Sequence, residues 1–214
     1  MKYKAVIFDL DGTLLNTLDD LADSVNFALG ECGFKLRSID EVRRFIGNGV
    51  RVLMRRSVPL GVSDEEYEKA YKSFVAHYEK NSRNKTAPYN GICEVLRKLK
   101  EKGYRLCIVS NKIDFAVKDL KDEFFKDLIE VAIGDSEDTR NKPAPDMVYK
   151  ALSHIGVSGE DAVYVGDTDV DLETAKNSGM DCISVSWGFR SRRELEGYGA
   201  AMIADTPDDI LRYV

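Results

Sequence analysis

Short apolar runs punctuate the chain, and most of them are continuous rather than alternating. Continuous runs of this length are typical of strands that are covered on both faces, as in a parallel sheet. Helical patterns lie between most of them, such as the stripe of Ile92, Val95, Leu96 and Leu99 that ends at Gly103. This alternation predicts an α/β fold with a doubly wound parallel sheet. The predicted strands cover residues 4–8, 105–110, 129–133, 162–166, 181–186 and 200–204.

One long segment breaks the alternation, because residues from about 15 to about 85 show no strand pattern. They carry helical stripes instead, the first of which contains Leu18, Leu21, Val25 and Leu29. The simplest organisation is a helical domain inserted after the first strand. We therefore predict a helical domain at residues 16–85 and an α/β core domain built from residues 1–15 and 86–214.

Composition and charge narrow the class of protein. The 214 residues are 43% apolar and 32% charged, which is typical of a soluble globular protein with a core of its own. The net charge of −6 and the absence of a Lys/Arg run argue against a nucleic-acid partner. No apolar stretch has the length of a membrane span or the form of a signal peptide. Four dispersed cysteines predict a reduced, cytoplasmic protein, and both a monomer and a homodimer remain open.

Candidate chemistry begins directly after the first strand, in the stretch "FDLDGTL". Asp9 and Asp11 lie two residues apart, so in an extended segment their side chains point to the same side. The carboxyl end of a strand is where open α/β sheets bind ligands. A plain Asp-Gly turn or a helix cap is the simpler interpretation of such a pair. Two like charges this close favour a positive group between them.

Later strands place more polar residues at the same edge of the sheet. One strand ends in Ser110 and Asn111, Lys142 lies in "NKPAPD", and "GDTDVD" carries Asp167 and Asp171. Each has an ordinary alternative: Ser110 as a helix cap, Lys142 as a surface lysine, and Asp171 as an acid in a first helical turn. Their coincidence at one sheet edge favours a common site.

The four stretches "DLDGTL", "VSNK", "KPAPD" and "GDTDVD" resemble the ordered motifs of the haloacid dehalogenase superfamily. The helical insertion resembles the C1-type cap of that superfamily. Within it, "FIGNGVRVL", "TAPYNGICEVL", "GYRLCIVSNK" and "NSGMDCISVSWGFR" are similar to text of phosphoglycolate phosphatases. The resemblance implies a phosphatase that acts on a small phosphorylated metabolite, with 2-phosphoglycolate as the expected substrate.

Hydrolysis of a phosphate ester requires a nucleophile, a proton for the leaving oxygen and neutralisation of charge. By resemblance, Asp9 attacks phosphorus to form an aspartyl-phosphate, and Asp11 protonates the leaving oxygen and then activates water. Lys142 would stabilise the negative charge of Asp9 and of the phosphoryl group. Ser110 and the backbone N–H of Asn111 would hydrogen-bond a phosphoryl oxygen.

Several carboxylates cannot stay ionised together without a counter-charge, and Mg²⁺ prefers oxygen ligands. The resemblance implies that Asp9, the backbone carbonyl of Asp11 and Asp167 bind this ion. Asp171 would lie next to them and orient a water molecule of the metal or Lys142.

Three further residues are candidates for binding substrate. Thr13 would fix the loop after the first strand, with a simple turn hydroxyl as its alternative. In the insertion, Gly49 supplies a backbone N–H at a predicted helix start and Arg51 lies nearby, an arrangement that suits a carboxylate. A turn followed by solvated arginines is the alternative.

Other functions within the same superfamily stay open: a pyrophosphatase, a sugar-phosphate or nucleotide phosphatase, or a phosphosugar mutase. Mutases of this kind usually carry a histidine early in the cap, and "NTLDDLADS" has none. Asp11 favours ester hydrolysis over dehalogenation, because a halide leaves without a proton. A catalytically silent protein that uses the fold for binding is the alternative from another class.

Overall fold

A sheet of six parallel strands forms the centre of the computed structural model, within the described residues 2–214. The strands in chain order are β1 (Ala5–Phe8), β2 (Leu15–Asn16), β3 (Ala87–Pro88), β4 (Arg105–Ile113), β5 (Val131–Asp135), β6 (Ala162–Gly166), β7 (Asp181–Val185) and β8 (Met202–Ala204), and all of them except β2 and β3 belong to this sheet. The order across the sheet is β5-β4-β1-β6-β7-β8, so the chain winds away from β1 in both directions. The predicted doubly wound parallel sheet is confirmed.

Helices cover both faces of this sheet. The helices of the chain are α1 (Leu18–Glu31), α2 (Ile39–Phe45), α3 (Val50–Ser57), α4 (Asp64–Asn81), α5 (Ile92–Glu101), α6 (Asp114–Phe125), α7 (Asp146–Ile155), α8 (Asp169–Asn177), α9 (Arg192–Gly197) and α10 (Ile210–Tyr213). Side chains alternate along β1, where Val6 and Phe8 pack with the apolar stripe of α5 and Ile7 packs with that of α7. Burial on both faces explains why the strands read as continuous apolar runs.

The end of β4 differs from the prediction. The strand continues to Ile113, three residues beyond the expected end at Ser110, and its pairing with β5 shifts register between Val109 and Ile113. Ser110 therefore belongs to an irregular strand end and does not cap a helix. β1 lies between β4 and β6, so the carboxyl ends of these three strands are adjacent.

The insertion is helical, with α1–α4 inside a compact unit that spans Thr17–Ala87. The predicted stripe of α1 is buried, and the carboxylate of Asp20 accepts hydrogen bonds from the backbone N–H groups of Lys85 and Thr86. Asp20 thus joins the start of the unit to its end. The strand β2 is too short for any periodic signal and was not predicted.

The other compact unit contains residues 2–16 together with Pro88–Val214. Met1, which begins the predicted core segment 1–15, lies outside the described residues. Among residues 2–214, no helix combines the length and the apolar character that crossing a membrane requires.

Candidate active site

Asp9 follows β1 directly and is buried at the end of the sheet. Its backbone N–H continues the ladder to Val165 at 2.9 Å, and its Oδ1 accepts from the N–H of Leu10 at 2.7 Å. The Nζ of Lys142 lies 3.0 Å from the same oxygen. Burial raises the pKa of Asp9 to about 7, since the nearby carboxylates of Asp171 and Asp11 oppose the effect of Lys142.

Lys142 is buried between two carboxylates, with its Nζ 2.7 Å from Asp171 Oδ1 and 3.0 Å from Asp9 Oδ1. Burial disfavours its charged form, but these carboxylates outweigh burial and hold the pKa of Lys142 well above its usual value. The Asn111 side chain fixes its backbone, accepting from the N–H at 2.7 Å and donating to the carbonyl at 3.0 Å. Lys142 is therefore not a solvated surface lysine.

Asp171 is fully buried in the first turn of α8. Its Oδ2 accepts from the backbone N–H groups of Asp167 and Thr168, at 3.2 and 3.0 Å. Its Oδ1 lies 3.2 Å from the hydroxyl of Tyr164, which is itself 3.0 Å from the Nζ of Lys142. These contacts give Asp171 the geometry to orient Lys142. Tyr164, in the apolar strand β6, was not predicted as part of the site.

Asp167 is also fully buried, at the end of β6. Its Oδ1 accepts from the hydroxyl of Thr13 at 3.0 Å, and its Oδ2 accepts from the backbone N–H of Phe189 at 2.7 Å. Burial raises the pKa of Asp167 well above its ordinary value, and the carboxylates of Asp171 and Asp9 raise it further. Since Thr13 is itself fully buried, its contact with Asp167 favours a role in holding that residue over the predicted contact with substrate.

Asp11 has a partner that the sequence analysis did not identify. The Nζ of Lys112 lies 2.8 Å from its Oδ1 and 3.1 Å from its Oδ2. The side chain of Lys112 is 1% exposed and that of Asp11 is 14% exposed, so this ion pair is largely shielded from water. The irregular end of β4 carries both Lys112 and Ser110, whose Oγ lies 3.4 Å from the backbone N of Lys112.

Two of the predicted metal ligands, Asp9 and Asp167, come together with Asp171, which was predicted to lie next to the ion. Asp9, Asp167 and Asp171 each offer a carboxylate oxygen, and these atoms lie within 4.8 Å of one another. Oxygen ligands of this kind fit Mg²⁺. With Asp11 included, four carboxylates face the ammonium groups of two lysines, so a divalent cation would balance the charge. The raised pKa values of Asp9 and Asp167 point the same way, because a cation is what would stabilise their ionised forms.

The two predicted substrate-binding residues of the insertion, Gly49 and Arg51, lie at the start of α3. Gly49 has φ +83° and precedes α3, so the predicted helix start is observed. Arg51 pairs with Glu68, Nη1 to Oε1 at 2.9 Å, and its guanidinium lies 4.2 Å from the centre of the Tyr71 ring. Its side chain is 60% exposed. Binding of a substrate carboxylate by Arg51 stays a prediction and would require exchange of Glu68.

Comparisons with known proteins agree with this site. A family model described as haloacid dehalogenase-like hydrolase matches residues 6–185. A phosphoglycolate phosphatase of Aquifex aeolicus is 34% identical over 87% of this chain and 86% of that protein. One of Pseudomonas savastanoi pv. phaseolicola is 32% identical over 94% of this chain and 76% of its own length. A crystal structure of a proposed phosphoglycolate phosphatase from Lactobacillus delbrueckii subsp. bulgaricus has a TM-score of 0.95 and 34% identity, covering 100% of this chain and 98% of that one. The chain is therefore a hydrolase enzyme that belongs to the haloacid dehalogenase-like family, as its four motifs predicted.

Proposed function

We propose that this protein is a Mg²⁺-dependent phosphatase that hydrolyses 2-phosphoglycolate to glycolate and phosphate. The observation that carries the proposal is that carboxylate oxygens of Asp9, Asp167 and Asp171 lie within 4.8 Å of one another, with the buried ammonium of Lys142 against two of them. Asp11, two residues after Asp9, completes the set with a second carboxylate. The choice of substrate is supported by two relatives, 32% and 34% identical, that carry the name phosphoglycolate phosphatase.

In the first step, a carboxylate oxygen of Asp9 attacks phosphorus and forms an aspartyl-phosphate. The bond between phosphorus and the ester oxygen breaks, and Asp11 gives its proton to that oxygen so that glycolate leaves as an alcohol. Lys142, 3.0 Å from Asp9, stabilises negative charge on the nucleophile and on the transferred group.

In the second step, water attacks phosphorus of the aspartyl-phosphate and Asp11 takes up the proton that water loses. The bond between phosphorus and Asp9 breaks, which releases phosphate and restores the Asp9 carboxylate. Lys112 holds the carboxylate of Asp11 on both oxygens, at 2.8 and 3.1 Å, and so fixes where the proton is given and taken.

Asp9, Asp167 and the backbone carbonyl of Asp11 would hold the Mg²⁺ ion. When bound, the ion supplies positive charge that offsets the carboxylates and the phosphoryl oxygens. Asp171 has a different task, because its oxygens already accept from Asp167, Thr168 and Lys142. We assign it to positioning Lys142 and the turn that carries Asp167.

A substrate screen with purified protein tests the proposal. The screen compares kcat/KM for 2-phosphoglycolate, p-nitrophenyl phosphate, a hexose phosphate, a nucleoside monophosphate and pyrophosphate at pH 7. We expect the highest value for 2-phosphoglycolate, with release of phosphate that stops in EDTA and returns with Mg²⁺. A higher kcat/KM for another compound would change the assigned substrate but not the proposed reaction mechanism.

Two variants test the chemistry itself. Asp9→Asn should abolish turnover of every substrate while the protein stays folded. Asp161→Asn is the matched control, because it removes a carboxylate that pairs with Lys4 at the surface. Turnover by clean Asp9→Asn protein would refute the assignment of Asp9 as the nucleophile. Full activity in EDTA would refute the requirement for a metal ion.

A further inference from the structure

The segment after β7, residues 186–190 with the sequence "SWGFR", has no role in the proposed function so far. We call it the 186–190 loop. Because β7 pairs with β6 in parallel, the loop leaves the sheet beside the strand end that carries Asp167. It lies in the same compact unit as that residue.

The loop contacts Asp167 directly and through Thr13. The backbone N–H of Phe189 donates to Asp167 Oδ2 at 2.7 Å. The indole Nε1 of Trp187 donates to the backbone carbonyl of Thr13 at 3.0 Å, and the Thr13 hydroxyl donates to Asp167 Oδ1 at 3.0 Å. Both oxygens of the carboxylate are thus oriented by donors that the loop supplies or holds. A carboxylate oxygen has two lone pairs, so each keeps one for a cation.

Gly188 allows the loop to approach this closely. A Cβ atom at Gly188 would lie within 3.0 Å of Asp167 Oδ2, of Asp167 Cβ and of the carbonyl oxygen of Gly12. Real Cβ atoms essentially never approach other atoms so closely, so a methyl group here would displace the carboxylate or the loop. Gly188 is not among the residues with positive φ, so its requirement comes from close packing against Asp167.

We infer that the 186–190 loop is a positioning element for Asp167 and that it sets the affinity of the site for Mg²⁺. The inference rests on the proposed function, because it takes Asp167 as a ligand of that ion. Groups that orient metal ligands typically change metal affinity by about 10- to 100-fold when they are removed. Trp187 and Gly188 are positioning residues in this sense, since neither supplies an oxygen to the cation.

Titration of the purified full chain with MgCl₂ in a calorimeter tests the inference. The variants are Gly188→Ala, which pushes on the carboxylate, and Trp187→Phe, which removes the donor to Thr13 together with part of the indole's packing. Gly197→Ala is the matched control, because a Cβ there meets no atom within 4 Å. We expect Kd for Mg²⁺ to rise about 10- to 100-fold in Gly188→Ala. A smaller rise is expected in Trp187→Phe, and none in the control.

A second readout separates positioning from folding. In EDTA, Gly197→Ala should melt close to the wild-type temperature, and Trp187→Phe should still unfold cooperatively at a somewhat lower temperature because it loses packing against the core. Saturating Mg²⁺ should restore kcat of Trp187→Phe. If Gly188→Ala does not fold, Trp187→Phe decides the outcome. Wild-type affinity in both variants would overturn the loop inference and leave the proposed function intact. A wild-type protein that binds no Mg²⁺ would overturn the metal centre, and the inference with it.

Discussion

Replacing Asp171 by asparagine tests how the buried charges hold the site together. Asparagine keeps the shape but exchanges one carboxylate oxygen for an NH₂ group, which only donates. On one side this group would face the ammonium of Lys142, and on the other side the backbone N–H groups of Asp167 and Thr168. Either orientation places donor against donor, and Lys142 loses a counter-charge inside the protein.

The burial of the Lys142–Asp171 pair determines how much stability the substitution should remove. The side chains of Lys142 and Asp171 are 2% and 1% exposed, so water cannot replace the lost partner. Removing one member of a buried ion pair costs about 3–5 kcal/mol. For a chain of this size, 1 kcal/mol corresponds to about 2–4 °C, so we expect Tm to fall by roughly 6–20 °C. Circular dichroism melts and urea titrations in EDTA at pH 7 measure both quantities.

Asp169→Asn is the control for this experiment, because Asp169 lies in the same motif but its side chain is 47% exposed. Its carboxylate lies 3.7 Å from the Nε of the largely buried Arg190 and itself stays in contact with water, so the loss of this long contact should cost about 0–1 kcal/mol. If Asp171→Asn were no more destabilised than Asp169→Asn, Lys142 would not depend on Asp171 for its place in the fold. The assignment of Asp171 as its positioning partner would then be wrong.

Two other changes test the same charges. Lys112→Met should lower kcat for 2-phosphoglycolate, because it removes the ion pair that positions the Asp11 carboxylate. The expected decrease is about 100-fold, which is the lower end of the range for general acid–base catalysis. The loss in kcat/KM, which reports transfer to Asp9 and not the later hydrolysis that both substrates share, should be smaller for p-nitrophenyl phosphate, since its phenolate leaves without a proton. Lys112→Arg should recover part of the activity, and equal losses in kcat/KM for both substrates would contradict the role of Lys112 in protonation of the leaving group. In EDTA, the pKa of Asp9 is raised to about 7, so its protonated form stabilises the fold at low pH and this stability is lost as pH rises from about 4 to 7. Urea titrations should show a decrease of roughly 4 kcal/mol relative to Asp9→Asn across that range, and parallel curves for the two proteins would refute the shift.

Much of the fold could be predicted from the sequence because it depends on local pattern. Strands buried on both faces read as apolar runs, and the apolar stripes of α1 and α5 identified their buried sides. The spacing of Asp9 and Asp11 after β1, and of Asp167 and Asp171 after β6, predicted that carboxylates meet at the sheet edge. The strand order, which cannot be read from the sequence, is what brings the carboxylates of Asp9, Asp167 and Asp171 together.

The missed residues depend on contacts between distant parts of the chain. Tyr164 lies in an apolar strand, and nothing in that pattern indicates that its hydroxyl contacts the Nζ of Lys142. Lys112 was expected beyond the end of β4, whereas the register shift places it in the strand end beside Asp11. The 186–190 loop supports Asp167 only because β7 is the neighbour of β6.

The balance of charge at this sheet edge depends on residues from separate segments of the chain. Burial and mutual repulsion favour the protonated forms of carboxylates at this sheet edge, and they raise the pKa values of Asp9 and Asp167 even with Lys142 present. Lys142 comes from the loop before α7 and compensates Asp9 only in part, because it is shared with Asp171. The remaining negative charge favours a divalent cation, and an adjacent cation favours the ionised form of each carboxylate. In the proposed mechanism, cation binding and ionisation of Asp9 are therefore coupled, so that the counter-charge for the phosphoryl group also increases the share of Asp9 in its nucleophilic form.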